Sequence, residues 1–441
     1  MSANDAPVVL AVDLGTSGMK VALVTLRGEV LGLESQVVKL HLTPDGGAEQ
    51  SPDEWWQAFL TASARLLGRD LTSRRAIKAV CCSTQGEGTV PVDRDGNALM
   101  NCILWMDMRG APYLNKRIRG LINVAGADVF KLLRWIRLTG GMPSPTGKDP
   151  AGHMLLVRER FPDVYARTYK FLNVLDYLNL RLTGRFVATF DSILTSWVAA
   201  HVPFKKTDAS SALASVPCAM PQRYLLTALQ ATAGGNLTFL KDNLLCRQDE
   251  LAPGGEVDNV FPVMDQMAAR IPAGANGIIY TPWPWGERAP VDDKNLRAGI
   301  YNLSLHNTRA DVIRAFLAGV ALNTRWLMKP VQKFLGRSVS KIHLAGGGAS
   351  SDVWCQIFAD VLGMEVLQVK DPIQANARGA ALIAAAGLGE VSLSDVHRLV
   401  AIRRTYAPSS GLRALYDDRF QTFLAIYRQM RGVYRKLNAE S

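Results

Sequence analysis

Asp13-Leu14-Gly15-Thr16-Ser17-Gly18-Met19-Lys20 decides the architecture. The apolar run Val8 to Val12 leads into it and Met19 to Leu26 leads away, so the pattern predicts strand, turn at Leu14–Gly18, and strand. Gly15 and Gly18 are expected to supply the positive φ of a tight turn. Backbone N–H groups, the hydroxyls of Thr16 and Ser17, and the Lys20 ammonium then surround one concave turn, which is equipment for phosphate. Asp13 is placed to hold a metal-bound water beside it. The same residues would also build a plain hairpin.

Working outward, Arg27-Gly28-Glu29 reads as a second turn and Val30 onward as a third strand. Ser51 is a helix N-cap, with Pro52 at the first helical position and Asp53 and Glu54 in the first turn. Ala76 to Ser83 is a strand ending in Thr84-Gln85-Gly86-Glu87-Gly88. Strands alternating with helices give an α/β fold with mixed sheets. The stretch 201–260 reads as irregular. Order returns with a strand at Gly277–Thr281, an amphipathic helix at Arg309–Met328 and a strand at Lys341–Ala345. Gly346-Gly347-Gly348 then precedes a helix starting near Ser351, a turn that lets a nucleotide lie against bare backbone. An Ala-rich helix at Ala375–Ala386 permits close packing. There is no GxGxxG and no GxxxxGK[ST], so neither a Rossmann nor a P-loop enzyme is supported.

The 441 residues suggest two or three domains. At 48% apolar and 20% charged, the composition is that of a folded chain. No apolar run reaches membrane-spanning length, and the N-terminus has no basic n-region of a secretory signal. Six scattered cysteines without CxxC spacing predict a cytoplasmic protein with no zinc site. The net charge of +11 collects partly in the last 40 residues, where Arg428, Arg431, Arg435 and Lys436 sit at helical spacing. A solvated helix face explains it; a polyanion site is the other reading.

Trp105, Asp107 and Arg109 alternate with Met106 and Met108, which predicts one face of an extended segment. With Gln85 and Glu87 they would form a polar pocket with one indole wall, suited to a polyhydroxylated ligand. A surface ion pair of Asp107 with Arg109 beside a core Trp is the plainer alternative. The six histidines show no metal-ligand spacing, and His343 is expected to be structural.

Taken together, DLGTSGMK (Asp13 to Lys20), WMDMR (Trp105 to Arg109), DYLNLRLTGRFVATFDS (Asp176 to Ser192), GERAP (Gly286 to Pro290), AGGGASSDVWCQIFAD (Ala345 to Asp360) and ANARGAALIAA (Ala375 to Ala385) resemble the FGGY family of carbohydrate kinases, xylulokinase-like branch. The resemblance implies an actin/hexokinase-like (ribonuclease H-like) α/β fold in two domains, here 1–197 and 198–441. It implies ATP with Mg2+ as cofactors and a small-molecule sugar or polyol as substrate. No membrane or nucleic-acid partner is expected, and a homodimer is one assembly it allows. Asp13, Gly15, Thr16, Ser17 and Lys20 would take the phosphates, Gly346, Gly347 and Gly348 the adenosine, and Gln85, Glu87, Trp105 and Asp107 the sugar.

One departure stands out. The family carries several tens of residues more after Asp191, including a GxGD-like turn whose aspartate is the general base. No GxGD occurs here. Leu194-Thr195-Ser196-Trp197 runs directly into Val198 and Ala199, which reads as an internal deletion joined at a short repeat. The catalytic base is thus absent; Asp191 and Asp208 are the nearest carboxylates in sequence. An impaired kinase and a catalytically dead remnant that still binds nucleotide or sugar are both open.

Overall fold

The computed structural model describes residues 6–124, 126–139, 142–189, 192, 207–208, 211, 213–218, 224–245 and 259–438. Two compact units emerge: Met1–Ala209 with Ala214–Thr227 and Asn376–Val400, and Ser210–Leu213 with Ala228–Ala375 and Ala401–Ser441.

The first unit is built on strands β1 (Val8–Gly15), β2 (Gly18–Thr25) and β3 (Val30–Val37), helix α1 (Pro52–Leu67) and strand β4 (Ile77–Thr84). The sheet order is β3-β2-β1-β4; β1 and β2 are antiparallel, β1 and β4 parallel. Both faces of β1 are covered, which is why it reads as an unbroken apolar run. Val8, Leu10, Val12 and Leu14 pack with Trp55, Ala58, Phe59, Ala62 and Leu66 of α1. Val9 and Ala11 face Ala377, Ala380 and Ala381 from the helix Ala375–Gly387. Small side chains on that helix let its backbone approach the sheet. Ser51 caps α1 as expected, its side chain accepting from the Glu54 amide.

In the second unit, helix α2 (Arg309–Leu335) runs through Pro330 and stops at Gly336, whose φ is 66°. It is thus longer than the expected Arg309–Met328. A left-handed Gly cap, and not the proline, ends it. Strand β5 (Lys341–Leu344) leads through the triple glycine to α3 (Asp352–Leu362), then β6 (Glu365–Val369) and β7 (Ile402–Tyr406). β5 and β6 are parallel, β6 and β7 antiparallel, again a mixed sheet. Both sheets are flanked by helices, as expected. Among the described residues β5 is an edge strand, and His343 is exposed on it, not packed in a core. The stretch read as irregular contains antiparallel strands at Leu213–Pro217 and Tyr224–Thr227. Asp191 and Leu194–Lys206 lie outside the described residues.

Candidate functional site

The hairpin turn forms as expected, with Gly15 opposite Gly18 in the β1–β2 register. Its glycines work differently from the expectation. Neither has a positive φ. Gly18 is required by close approach, since a Cβ there would sit 2.8 Å from the Gln36 carbonyl oxygen. A Cβ on Gly15 would meet only the Gly18 oxygen, at 3.8 Å, so bare backbone faces open space there.

At the end of β1, Asp13 is buried. Its carboxylate takes Lys20 Nζ at 3.4 Å and Asn376 Nδ2 at 3.3 Å. Both contacts are long. Among the described residues no three His, Cys, Asp or Glu side chains converge as a metal cage. Magnesium on nucleotide phosphates needs only one or two carboxylates, with waters completing its shell. Asp13 fits that role, and it would hold the ion through water.

Thr16, Gln85 and Trp105, assigned to different ligands from sequence, are brought together. The Thr16 hydroxyl donates to Gln85 Oε1 at 2.9 Å and accepts from Trp105 Nε1 at 3.3 Å. Its one proton is therefore committed to Gln85. Trp105 aims its polar edge at the hairpin and packs, half-buried, against the hydrophobic core of the first unit. The Gln85 backbone N–H also donates to Leu14 O at 2.7 Å. Glu87 is half-buried at φ 60°, a left-handed conformation that costs a non-glycine residue about 1–2 kcal/mol. Gly88 beside it admits no side chain, because a Cβ would lie 2.5 Å from Val174 Cγ2. Strain of this kind clusters at ligand sites.

The Trp105–Arg109 segment is not extended, and the expectation of a shared strand face is corrected. It forms successive turns. The Asp107 amide bonds Leu104 O at 2.9 Å, and its carboxylate accepts the Arg109 amide at 2.9 Å. An aspartate bonding its own chain two residues on competes with strand pairing. Asp107 is fully buried, bonded to Ala48 N at 2.9 Å and Arg109 Nη2 at 2.7 Å. Arg109 also reaches Glu49 at 2.6 Å. The ion pair of the plainer reading forms, but it is buried rather than on the surface, and Trp105 is only half-buried; a sugar hydroxyl would have to compete with these contacts.

The triple glycine divides its labour. Gly346 has φ 88° and bonds Pro372 O at 2.8 Å. Gly348 lies under Trp354, which a Cβ would approach to 2.5 Å. Gly347 is exposed with nothing near its missing side chain, the bare surface that an adenosine would use. A short 3-10 turn, Gly347–Ser350, intervenes before α3, and Ser351 caps that helix by accepting from Trp354 N at 3.0 Å.

Two polar residues near the pocket were missed from sequence. Gln50 is one. His153 is the other: fully buried, with Nδ1 3.0 Å from Thr89 Oγ1 and no partner for Nε2. Desolvation drops its imidazole from 6.5 to about 4, against the opposing pull of Asp107 and Glu87. The folded chain therefore keeps this ring neutral where the unfolded chain takes up a proton. Stability should be complete above pH 6.5 and fall as the pH drops toward 4. The full loss is about 3 kcal/mol. Comparing melting temperatures from pH 7.5 to 4.5 with those of His153→Gln checks this; the variant's profile should be flatter across that window.

Among the described residues no helix is long and apolar enough to cross a membrane. The model for the N-terminal domain of the FGGY family of carbohydrate kinases matches residues 8–199, and that for the C-terminal domain matches 200–388. A xylulose kinase of Staphylococcus epidermidis is 24% identical over 507 residues, covering 96% of this chain and 97% of the relative. A xylulose kinase of Bacillus subtilis is 26% identical over 457 residues, covering 86% and 88%. The crystal structure of ligand-bound xylulose kinase from Lactobacillus acidophilus matches with a TM-score of 0.80 at 18% identity, over 98% of this chain and 100% of that one. The alignment with the Staphylococcus protein is longer than the 441 residues of this chain, so that relative carries several tens of positions with no counterpart here.

Proposed function

Because the chain belongs to the FGGY family of carbohydrate kinases, we propose that it moves the γ-phosphoryl group of ATP to a hydroxyl of a pentulose-like ketose or a related polyol, at a reduced rate. One observation carries this reading: the phosphate turn and the sugar loop are hydrogen-bonded to each other through Thr16, Gln85 and Trp105. Gly15 leaves the phosphates room and Lys20 adds charge. Glu87 takes sugar hydroxyls, with Trp105 walling their C–H faces. Asp13 would hold a magnesium ion through water, and the ion would supply charge neutralisation on the phosphates. Gly347 offers bare backbone to the adenosine.

The domain boundary at 197/198 is part of the same proposal, supported by the meeting of the two family models at residues 199 and 200. The missing positions in the long alignment support an internal deletion. A cytoplasmic location fits the free thiols of Cys81, Cys82, Cys102 and Cys355 among the described residues.

The test is a panel of D-xylulose, D-ribulose, L-ribulose, gluconate and glycerol with Mg-ATP on purified protein, reading ADP release. Release that depends on one of the ketoses or polyols is expected. A thermal upshift with ADP or sugar but no release would favour the binding remnant. The absence of both release and upshift would sink the kinase reading.

A further inference from the structure

Gln50 is fully buried and belongs to none of the motifs read from sequence. Its neighbours force the orientation of its amide. The Trp55 indole N–H can only donate, so the oxygen 3.2 Å away is Oε1. The Thr16 carbonyl can only accept, so Nε2 donates to it at 2.7 Å. Gln85 must then present Nε2 to Gln50 Oε1, at 2.8 Å, which leaves Gln85 Oε1 for the Thr16 hydroxyl. Thr16, Gln85 and Gln50 thus close a ring of three side chains and one backbone carbonyl, all in the first unit. No member can flip without breaking two bonds.

We propose that Gln50 is a positioning residue that couples nucleotide binding at the Thr16 turn to sugar binding at the Gln85 loop. This rests on the kinase reading above. Seating phosphates on the turn fixes the Thr16 carbonyl and hydroxyl. The ring ties Gln50 and Gln85 rigidly to that turn, so setting Thr16 sets Gln85 as well, and the sugar meets a loop already in place. By linkage the sugar tightens the nucleotide by the same factor.

The test uses calorimetric titration of the full chain with a non-hydrolysable ATP analogue and with D-xylulose, each alone and with the other saturating. The wild type should show mutual tightening of at least about fivefold. Gln50→Met keeps the length, buries no charge and makes none of the bonds; its coupling factor should fall close to one. A purely structural role would shift the melting temperature and both single-ligand affinities but leave the factor intact. Thr16→Val, which breaks the hydroxyl link of the same ring, is the second variant and should lose the coupling too. Retention of the wild-type factor in Gln50→Met, or in Thr16→Val if the first variant fails to fold, overturns the inference, as does an uncoupled wild type. A wild type that binds neither ligand overturns the kinase reading and this inference together.

Discussion

Gly15→Val is expected to weaken nucleotide binding by on the order of 100-fold, about 2.7 kcal/mol, while leaving the fold nearly untouched. The structure separates the two effects. Gly15 has no positive φ, so a β-branched residue meets no backbone strain there. Its Cβ would touch only the Gly18 oxygen at ordinary distance. The methyl groups would project into the space that phosphate must enter. Titration with ADP, beside a melting curve, is the measurement. Unchanged affinity in a folded variant would remove the hairpin from the nucleotide site.

The second large effect concerns turnover. A sugar hydroxyl attacks poorly until a base removes its proton, a contribution of about 10²–10⁴-fold. The family's aspartate for this step has no GxGD counterpart in the chain. Turnover with the best sugar should therefore lie at least about 10²-fold below that of a complete family member. Inserting a family-like GxGD segment between Trp197 and Val198 should recover part of it. A native chain that already turns over at about 1–100 s⁻¹ would mean that another carboxylate serves. Asp191 would be the first to replace by Asn.

The hairpin and α1 were readable in the sequence because each is specified locally: an apolar run buried on both faces, and a Ser-Pro start with acidic first-turn residues. The Trp105–Arg109 turn was not. Five alternating residues fit a strand equally well, and only the Asp107 carboxylate bonding the Arg109 amide decides otherwise. Gln50 was hidden for a different reason. A glutamine just ahead of a helix cap looks solvent-facing, and its burial goes with a strand pairing to Cys102, 52 residues further along the chain. His153 sits on a helix with no clear amphipathic stripe, so its burial was equally silent. The glycines at 15 and 18 were right as residues and wrong as reasons: spacing marks a turn but does not distinguish φ from clearance.

The helix Ala375–Gly387 closes the far face of a sheet whose first strand begins at Val8. On a ribosome, the chain from 228 to 375 must be made before that helix exists. At about 5–20 residues per second this takes roughly seven to thirty seconds. Throughout that interval Val9, Ala11, Ala22 and Val24 have no lid, and the nascent N-terminal portion offers a greasy sheet surface to chaperones or to its neighbours on a polysome. A truncated message ending before codon 376 would yield an insoluble product, although every strand of that sheet had been translated.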